Sequence, residues 1–555
     1  MFAPEVTLAP ATHERPPRRP PGRRRAGALA AAAFVALLLP LAAGLPACRT
    51  PGFGGSRPAF PADVRKILAE AGENRATLEA VLRHYRDQGD SLKYAAALFL
   101  VRNMEGHSYV RFVLCDSAGA EIDFDVLDYP DYPSLLGGWK ELEEQRGELD
   151  FKRKEVIRDL EAMTASLFVE NIEFAFRAWR QKPWARHLSF ADFCDYVLPY
   201  RGSNEPLESW RLHFLRRFEG LERRMQDPTE PLEAARLINQ DLQEWFRFDP
   251  RFYYHPTDQG LSEMLENQLG RCEDMTNLTI YAMRANGLAV TSDYTPYWAN
   301  TGNNHAWNAI LDRRGEALVF MGAEAHPGEY SLSGKAAKIY RKTFAHQLGN
   351  LVFRKPEGEA VPPWLSGRNY VDVTADYMPV ATVVVDLARP MPDSLHYAYL
   401  CVFNDGEWGA LDWGEVVGGR VILAKVGLGI AYLAALYAGG AIVPAATPFI
   451  LDERGEARML APDHERPLSL ALTGTGPAGE VPAGEEAPRS RLRAGAGYEL
   501  FYWQDAWVSV GRAVAGDEPL AFRSVPGGAL YWLVEDDSSR EERIFTYESD
   551  RQVWW

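Results

Sequence analysis

Cysteine is scarce in this 555-residue chain. It occurs as Cys48, Cys115, Cys194, Cys272 and Cys401, widely spaced and never as CxxC. That spacing excludes a disulfide framework and a zinc cluster. Positive charge is also short. Lys and Arg number 60 against 76 Asp and Glu, a net charge of −16, which excludes nucleic-acid binding as the main task. Nothing in the helical half repeats at a fixed period, and long apolar runs are confined to two places. What is present is ordinary globular composition, 46% hydrophobic and 25% charged. At this length the chain is expected to divide into two to four domains. Many of its 15 Trp and 24 Tyr fall in the last third, where they suggest strands.

The first apolar run follows a basic stretch, Arg18, Arg19, Arg23, Arg24 and Arg25, and ends just before Cys48. Charged region, apolar region and small residues, in that order, make an export signal over residues 1–47. Leu45-Pro46-Ala47-Cys48 resembles a lipobox, with Cys48 lipidated as the new N-terminus and holding the chain at a membrane facing the periplasm or cell exterior. Pro46 is unusual in that motif, and an uncleaved anchor and plain secretion are the alternatives. The second run, residues 421–444, contains Lys425 and four glycines. It suits buried strands better than a membrane span.

The fold class expected is α+β and multidomain. A linker at 48–62 leads to a helical domain at 63–234. There Leu78, Val81, Leu82 and Tyr85 recur at helical spacing, and SLKYAAALFLVRNM is apolar nearly all round. The spacing of Leu142, Leu149, Val156, Leu160, Leu167 and Phe174 predicts a long helical run from Gly138 to about Arg180. Two further helices are expected at 206–226 and 229–247. A catalytic core at 235–345 precedes a β-rich, sandwich-like domain at 346–474. A linker at 475–491 and a small β domain at 492–555 complete the chain.

Chemistry concentrates in three segments: GRCEDMTNLTIYAMRANGL, PYWANTGNNHAWNAIL and FMGAEAHPG. Met275, Leu278, Ala282 and Met283 mark a helix that Asn286-Gly287 stops, so Cys272 sits at its N-terminus. Unpaired N–H groups and the macrodipole there favour a thiolate and can hold an oxyanion. Glu273 and Asp274 oppose a second negative charge unless they point aside. A lone Cys at a helix start is most often structural, and His305 is the context that changes this reading. It follows a Gly- and Asn-rich loop and heads the alternating strand HAWNAIL. If Asp312 faces Gly315 across the next turn, His305 faces Gly322, and Glu324 lies diagonally within reach. A carboxylate there would complete a Cys-His-acid triad. Asp312 is the runner-up, though it is more simply a turn former.

Gly270-x-Cys272, Arg284-x-x-Gly287 and His305-Ala306-Trp307 together resemble the transglutaminase-like superfamily. The resemblance covers roughly a hundred residues. It implies a papain-like core with Cys272 as nucleophile and His305 as base. The family's usual Asp-Pro on the strand after His is absent, and Glu324 is the carboxylate offered instead.

Accessory candidates are Gln268 and Asn304, for the oxyanion and the loop, and Trp298 and Trp307, for the cleft wall or simply the core. His255 and His326 read as ordinary loop histidines, and Cys115, Cys194 and Cys401 as buried inert thiols. The function expected is a thiol hydrolase cleaving amide or peptide bonds of an extracytoplasmic protein or peptide, without a cofactor. Alternatives are a cross-linking acyltransferase and an inactive surface binding protein. The C-terminal aromatics either contact carbohydrate or fill small β cores, the latter being favoured.

Overall fold

The structure, a computed structural model, describes residues 60–477, 491–536, 538 and 542–555. The export segment, Cys48 and the chain up to residue 59 lie outside the described residues, as does most of the linker expected at 475–491. The described chain opens with three helices, α1 (Ala62–Glu70), α2 (Arg75–Gln88) and α3 (Ser91–Asn103). The stripe of Leu78, Val81, Leu82 and Tyr85 is buried. Helix α3 starts where Asp90 accepts the Lys93 N–H at 3.2 Å, which satisfies one of the orphan donors of a helix start.

The long helix expected from Gly138 to Arg180 is not one helix. Helix α4 (Tyr132–Arg146) stops at Gly147, whose φ of 80° only glycine adopts freely. Residues Asp150–Arg158 then form a strand, β3, antiparallel to β1 (Ser108–Cys115), which also pairs with β2 (Glu121–Ile122). Helix α5 (Ala165–Gln181) follows. The seven-residue spacing of apolar residues misled because Val156 lies on the open side of a ribbon, 37% exposed. Strand β1 needs a hydrogen-bonding partner along its length, and that need overrides the helix propensity of KRKE. The pair of helices expected at 206–226 and 229–247 appears as a short α6 (Arg211–Arg217) and a full α7 (Pro231–Trp245).

The centre of the molecule is a helix on a sheet. Strands β4 (Arg247–Phe248) and β5 (Leu269–Gly270) pair in parallel and bracket helix α8 (Leu261–Asn267). Helix α9 (Cys272–Ala285) follows at once and is buried along its whole length. It packs on an antiparallel sheet of order β10-β9-β6-β7-β8, made of β6 (Val290–Thr295), β7 (His305–Leu311), β8 (Ala317–Phe320), β9 (Tyr340–Lys342) and β10 (Tyr370–Asp372). One apolar cluster joins α2, α3, α5 and α7 to α9 and this sheet.

Beyond residue 379 the described elements are antiparallel strands. Eight strands form one sheet: β11 (Val380–Asp386), β12 (Tyr397–Asn404), β13 (Glu407–Val417), β14 (Arg420–Gly427), β15 (Ile430–Ala438), β16 (Ala441–Pro444), β17 (Phe449–Leu451) and β18 (Ala457–Met459). The second apolar run is thus β14 to β16, with Tyr432, Leu433 and Ala434 buried. No helix among the described residues is long and apolar enough to cross a membrane. Strands β19 (Asp463–Leu472) and β22 (Leu520–Gly527) pair. A five-stranded sheet joins β20 (Gly497–Trp503), β21 (Trp507–Val514), β23 (Tyr531–Glu535), β24 (Ile544–Glu548) and β25 (Arg551–Trp554). Trp503, Trp532 and Ile544 share a core cluster with Tyr399, Leu400 and Phe403 of β12, so most of the late aromatics are packing groups.

Candidate active site

Three features set the start of α9. Gly270 is required by space, because a Cβ there would lie 2.6 Å from Asp274 Cβ and 2.9 Å from Phe246 Cζ. The Asp274 carboxylate accepts the Arg271 N–H at 2.9 Å and the Gln259 N–H at 3.0 Å. Arg271 in turn is ion-paired to buried Asp258. Cys272, 7% exposed, is therefore held on a helix tip whose first turn is fixed by three neighbours. Thr276 closes that turn by donating to the Cys272 carbonyl at 2.8 Å.

The carboxylate next to the thiol has a counter-charge. Glu273 is buried and ion-paired with Lys342 of β9, whose ammonium also donates to the Ser203 hydroxyl. The same ammonium lies 5.4 Å from the centre of the Tyr294 ring. Glu273 thus points toward the sheet with its charge paired, not toward open solvent.

Helix α9 brings its N-terminus to the His305 end of the sheet by length alone. Fourteen residues of helix rise about 21 Å, and the six residues of β6, running back from Val290 to Thr295, rise about 20 Å. Thr295 pairs with His305, so Cys272 and His305 occupy the same end of the layer. The contact between α9 and β7 is tied by Asn308, whose side-chain amide donates to the Thr276 carbonyl at 3.2 Å.

His305 is enclosed by rings. Trp298 stacks at 5.9 Å between centroids and 26°, and Trp307 lies at 5.7 Å. Its Nε2 hydrogen-bonds the Tyr330 hydroxyl at 2.7 Å. Burial pushes the imidazole down to about 4, with the Glu273 charge opposing. The ring is therefore neutral at pH 7 and able to take up a proton. Trp307 itself is fully buried and donates to the Tyr377 hydroxyl at 2.8 Å. Tyr377 donates to Asp293 at 2.6 Å, and Arg341 binds Asp293 through two bonds of 2.8 and 2.7 Å. This network is a fixed floor beneath the histidine strand, and Trp307 belongs to the core.

The loop between β6 and β7 is held from outside the core. The Asn404 amide donates to the carbonyls of Trp298, Thr301 and Asn303 at 2.9, 3.0 and 3.0 Å. Asp405 accepts the Asn303 N–H at 2.9 Å, and Arg543 donates to the Ala299 carbonyl at 2.6 Å. Asn304, also on this loop, donates its N–H to the Asn303 side chain at 2.8 Å.

The register across the following turn differs from the expected one by a residue. Leu311 pairs with Ala317 and Asn308 with Phe320, not Asp312 with Gly315. Asp312 accepts the N–H groups of Arg314 and Glu316 at 2.7 and 2.9 Å and so builds a wider turn. Strand β8 ends at Phe320, and the chain turns away through Ala323, at φ 56°. Glu324 is exposed in that turn, where its main-chain carbonyl is bound by Gln243 at 2.6 Å. Gly322 cannot carry a side chain, since a Cβ would be 2.0 Å from Thr279 Oγ1. Gln268 is exposed, in the left-handed region at φ 57°, and caps α8. His326 lies 3.5 Å from the Asn239 amide, and His255 bonds the Thr257 carbonyl at 2.7 Å.

Tyr330, Lys342, Asn404 and Asp405 were not singled out from the sequence. Tyr330 sits in a turn-rich stretch without periodicity; Lys342 and Asn404 end strands β9 and β12, and Asp405 lies in the turn after β12. Among the described residues no group of three or more His, Cys, Asp or Glu is placed to hold a metal ion. Cys115, Cys194 and Cys401 are buried, and burial pushes the Cys194 thiol up to about 12.

No curated protein matches this chain. The family model described as the transglutaminase-like superfamily matches residues 219–316, which include α7, α9, β6 and β7. Over that stretch the chain carries a transglutaminase-like superfamily domain.

Proposed function

We propose that the protein is a thiol hydrolase acting on amide or peptide bonds, with Cys272 as nucleophile and His305 as its base. The observation that carries the reading is that α9's N-terminal tip lies at the same end of the layer as the head of β7, inside a transglutaminase-like domain. A domain of that kind supports acyl chemistry at a thiol in general terms. In the proposed cycle the Cys272 proton passes to His305 and the sulfur attacks the substrate carbonyl. N–H groups at the N-terminal tip of α9 stabilise the oxyanion. His305 then protonates the departing amine, and water, deprotonated by the same ring, releases the acyl group.

Cross-linking follows the same path up to the acyl-enzyme and diverges where an amine replaces water. The substrate proposed is a protein or peptide outside the cytoplasm, reached by a chain anchored through lipid on Cys48. Alkylation by iodoacetamide at pH 6 tests the core of this reading. Modification confined to Cys272, faster than that of a model thiol because the neutral His305 ring takes the proton as the sulfur attacks, and slowed in His305→Ala, supports it; a Cys272 as sluggish as a model thiol refutes it. Incorporation of a labelled amine into substrate would turn the reading from hydrolysis to transfer. Mass analysis of the mature N-terminus tests the lipid anchor.

A further inference from the structure

We propose that Tyr330 is the positioning residue of this site: its hydroxyl, in place of a carboxylate, holds Nε2 of His305 and leaves Nδ1 for the Cys272 thiol. The inference rests on the reading of Cys272 and His305 above. Its basis is geometric. The 2.7 Å bond to the ring nitrogen comes from Tyr330, and the two rings stand 6.2 Å apart at 42°. Trp298 and Trp307 pack on the same imidazole, so it cannot rotate to seek another partner without disturbing them.

The carboxylates considered for this role are otherwise placed. Glu324 is exposed in the turn after β8, Glu273 is ion-paired with Lys342, and Asp293 is bound by Arg341 and Tyr377. Gly322 occupies the turn after β8 where a side chain would collide with Thr279 and Asn308. The Tyr330 segment is anchored to α7, whose Arg236 donates to the Pro327 carbonyl at 3.1 Å and pairs with Glu329 at 2.5 Å. Tyr330 is thereby presented to His305 from a strap with its own attachments.

A hydroxyl and a carboxylate differ in what they do for the ring. A carboxylate only accepts and so selects the tautomer with the proton on Nε2, whereas a tyrosine hydroxyl can accept from Nε2–H or donate to a bare Nε2. Tyr330 is assigned the accepting role, which leaves Nδ1 bare for the thiol proton. A carboxylate also stabilises the imidazolium by its charge, which a neutral oxygen does far less. Tyr330 therefore orients a neutral base rather than maintaining a standing thiolate–imidazolium pair.

The test is a two-bond proton–nitrogen correlation spectrum of full-length protein labelled with ¹⁵N-histidine at pH 7, read with the alkylation rate of Cys272. The wild-type His305 ring should be a single neutral tautomer protonated on Nε2. In Tyr330→Phe that preference should be lost and alkylation should slow by about tenfold, a typical share for positioned acid–base catalysis being larger still. A wild-type ring protonated on Nδ1 overturns the proposal without any variant. So does a Tyr330→Phe protein that keeps both tautomer and rate, or that reacts faster because a cap has been removed. Should wild-type Cys272 prove inert, the catalytic reading fails while the tautomer comparison still decides the role of Tyr330.

Discussion

Replacing Asn404 by alanine should loosen a loop that the replaced residue reaches only from another sheet. Its amide serves three carbonyls, on Trp298, Thr301 and Asn303, at 2.9 to 3.0 Å. Asn404 is 6% exposed, so water does not readily replace it. An intramolecular hydrogen bond contributes about 1 kcal/mol net, and a buried carbonyl left without a donor costs about 1–3 kcal/mol. One NH₂ group has two hydrogens for the three acceptors, so the summed loss is about 2–4 kcal/mol. The Asp405 and Arg543 contacts remain, which confines the effect to the loop. Amide hydrogen exchange is the assay. Protection of the Trp298 and Asn303 amides should fall by roughly 30- to 1000-fold, while that of Leu278 and Ile280 in α9 stays within about threefold. Alkylation of Cys272 should slow as well, because Trp298 packs on His305. Unchanged protection at Trp298 and Asn303 would refute the claim that β12 holds the histidine loop.

Three further outcomes are expected. His107 and His305 are both pushed down to about 4 by burial, below the unfolded value near 6.5. The unfolded chain therefore binds more protons between those values, so stability is full above pH 6.5 and falls as pH drops toward 4. The loss is at most about 3 kcal/mol for each ring, read from urea midpoints at pH 7, 5.5 and 4.5. Lys342→Met strips Glu273 of its counter-charge inside the protein and should cost about 3–5 kcal/mol, with the double variant Lys342→Met, Glu273→Gln recovering part of it in the same denaturation series. Glu324→Gln should alkylate within about twofold of wild type, since exposed surface changes rarely exceed about 0.5 kcal/mol. A tenfold loss there would return Glu324 to the site.

Much of the centre was legible because local patterns coincided with tertiary need. Helix α9 announces itself through Gly270, its apolar spacing and Gly287, and all three are used by the packing. The stripe on α2 was equally plain, since four residues at helical spacing have one face to bury. The stretch from 138 to 180 was misread because spacing of seven also arises by chance when a polar strand follows a helix, and only the pairing with β1 shows the strand. The β7–β8 register was missed by one residue because turn length decides it, and Asp312 builds a turn reaching Glu316. That single slip is enough to change which residue after β8 lies near His305.

The sequence by itself determined that a thiol would open a helix and that a histidine would head a strand, because both follow from local apolar periodicity and its stop residues. Only the tertiary structure decided what surrounds that histidine. Tyr330, Lys342 and Asn404 reach it or its neighbours from separate segments. Contacts between segments distant in the chain leave no periodic trace in it, since they depend on sheet order and loop path rather than on neighbouring residues.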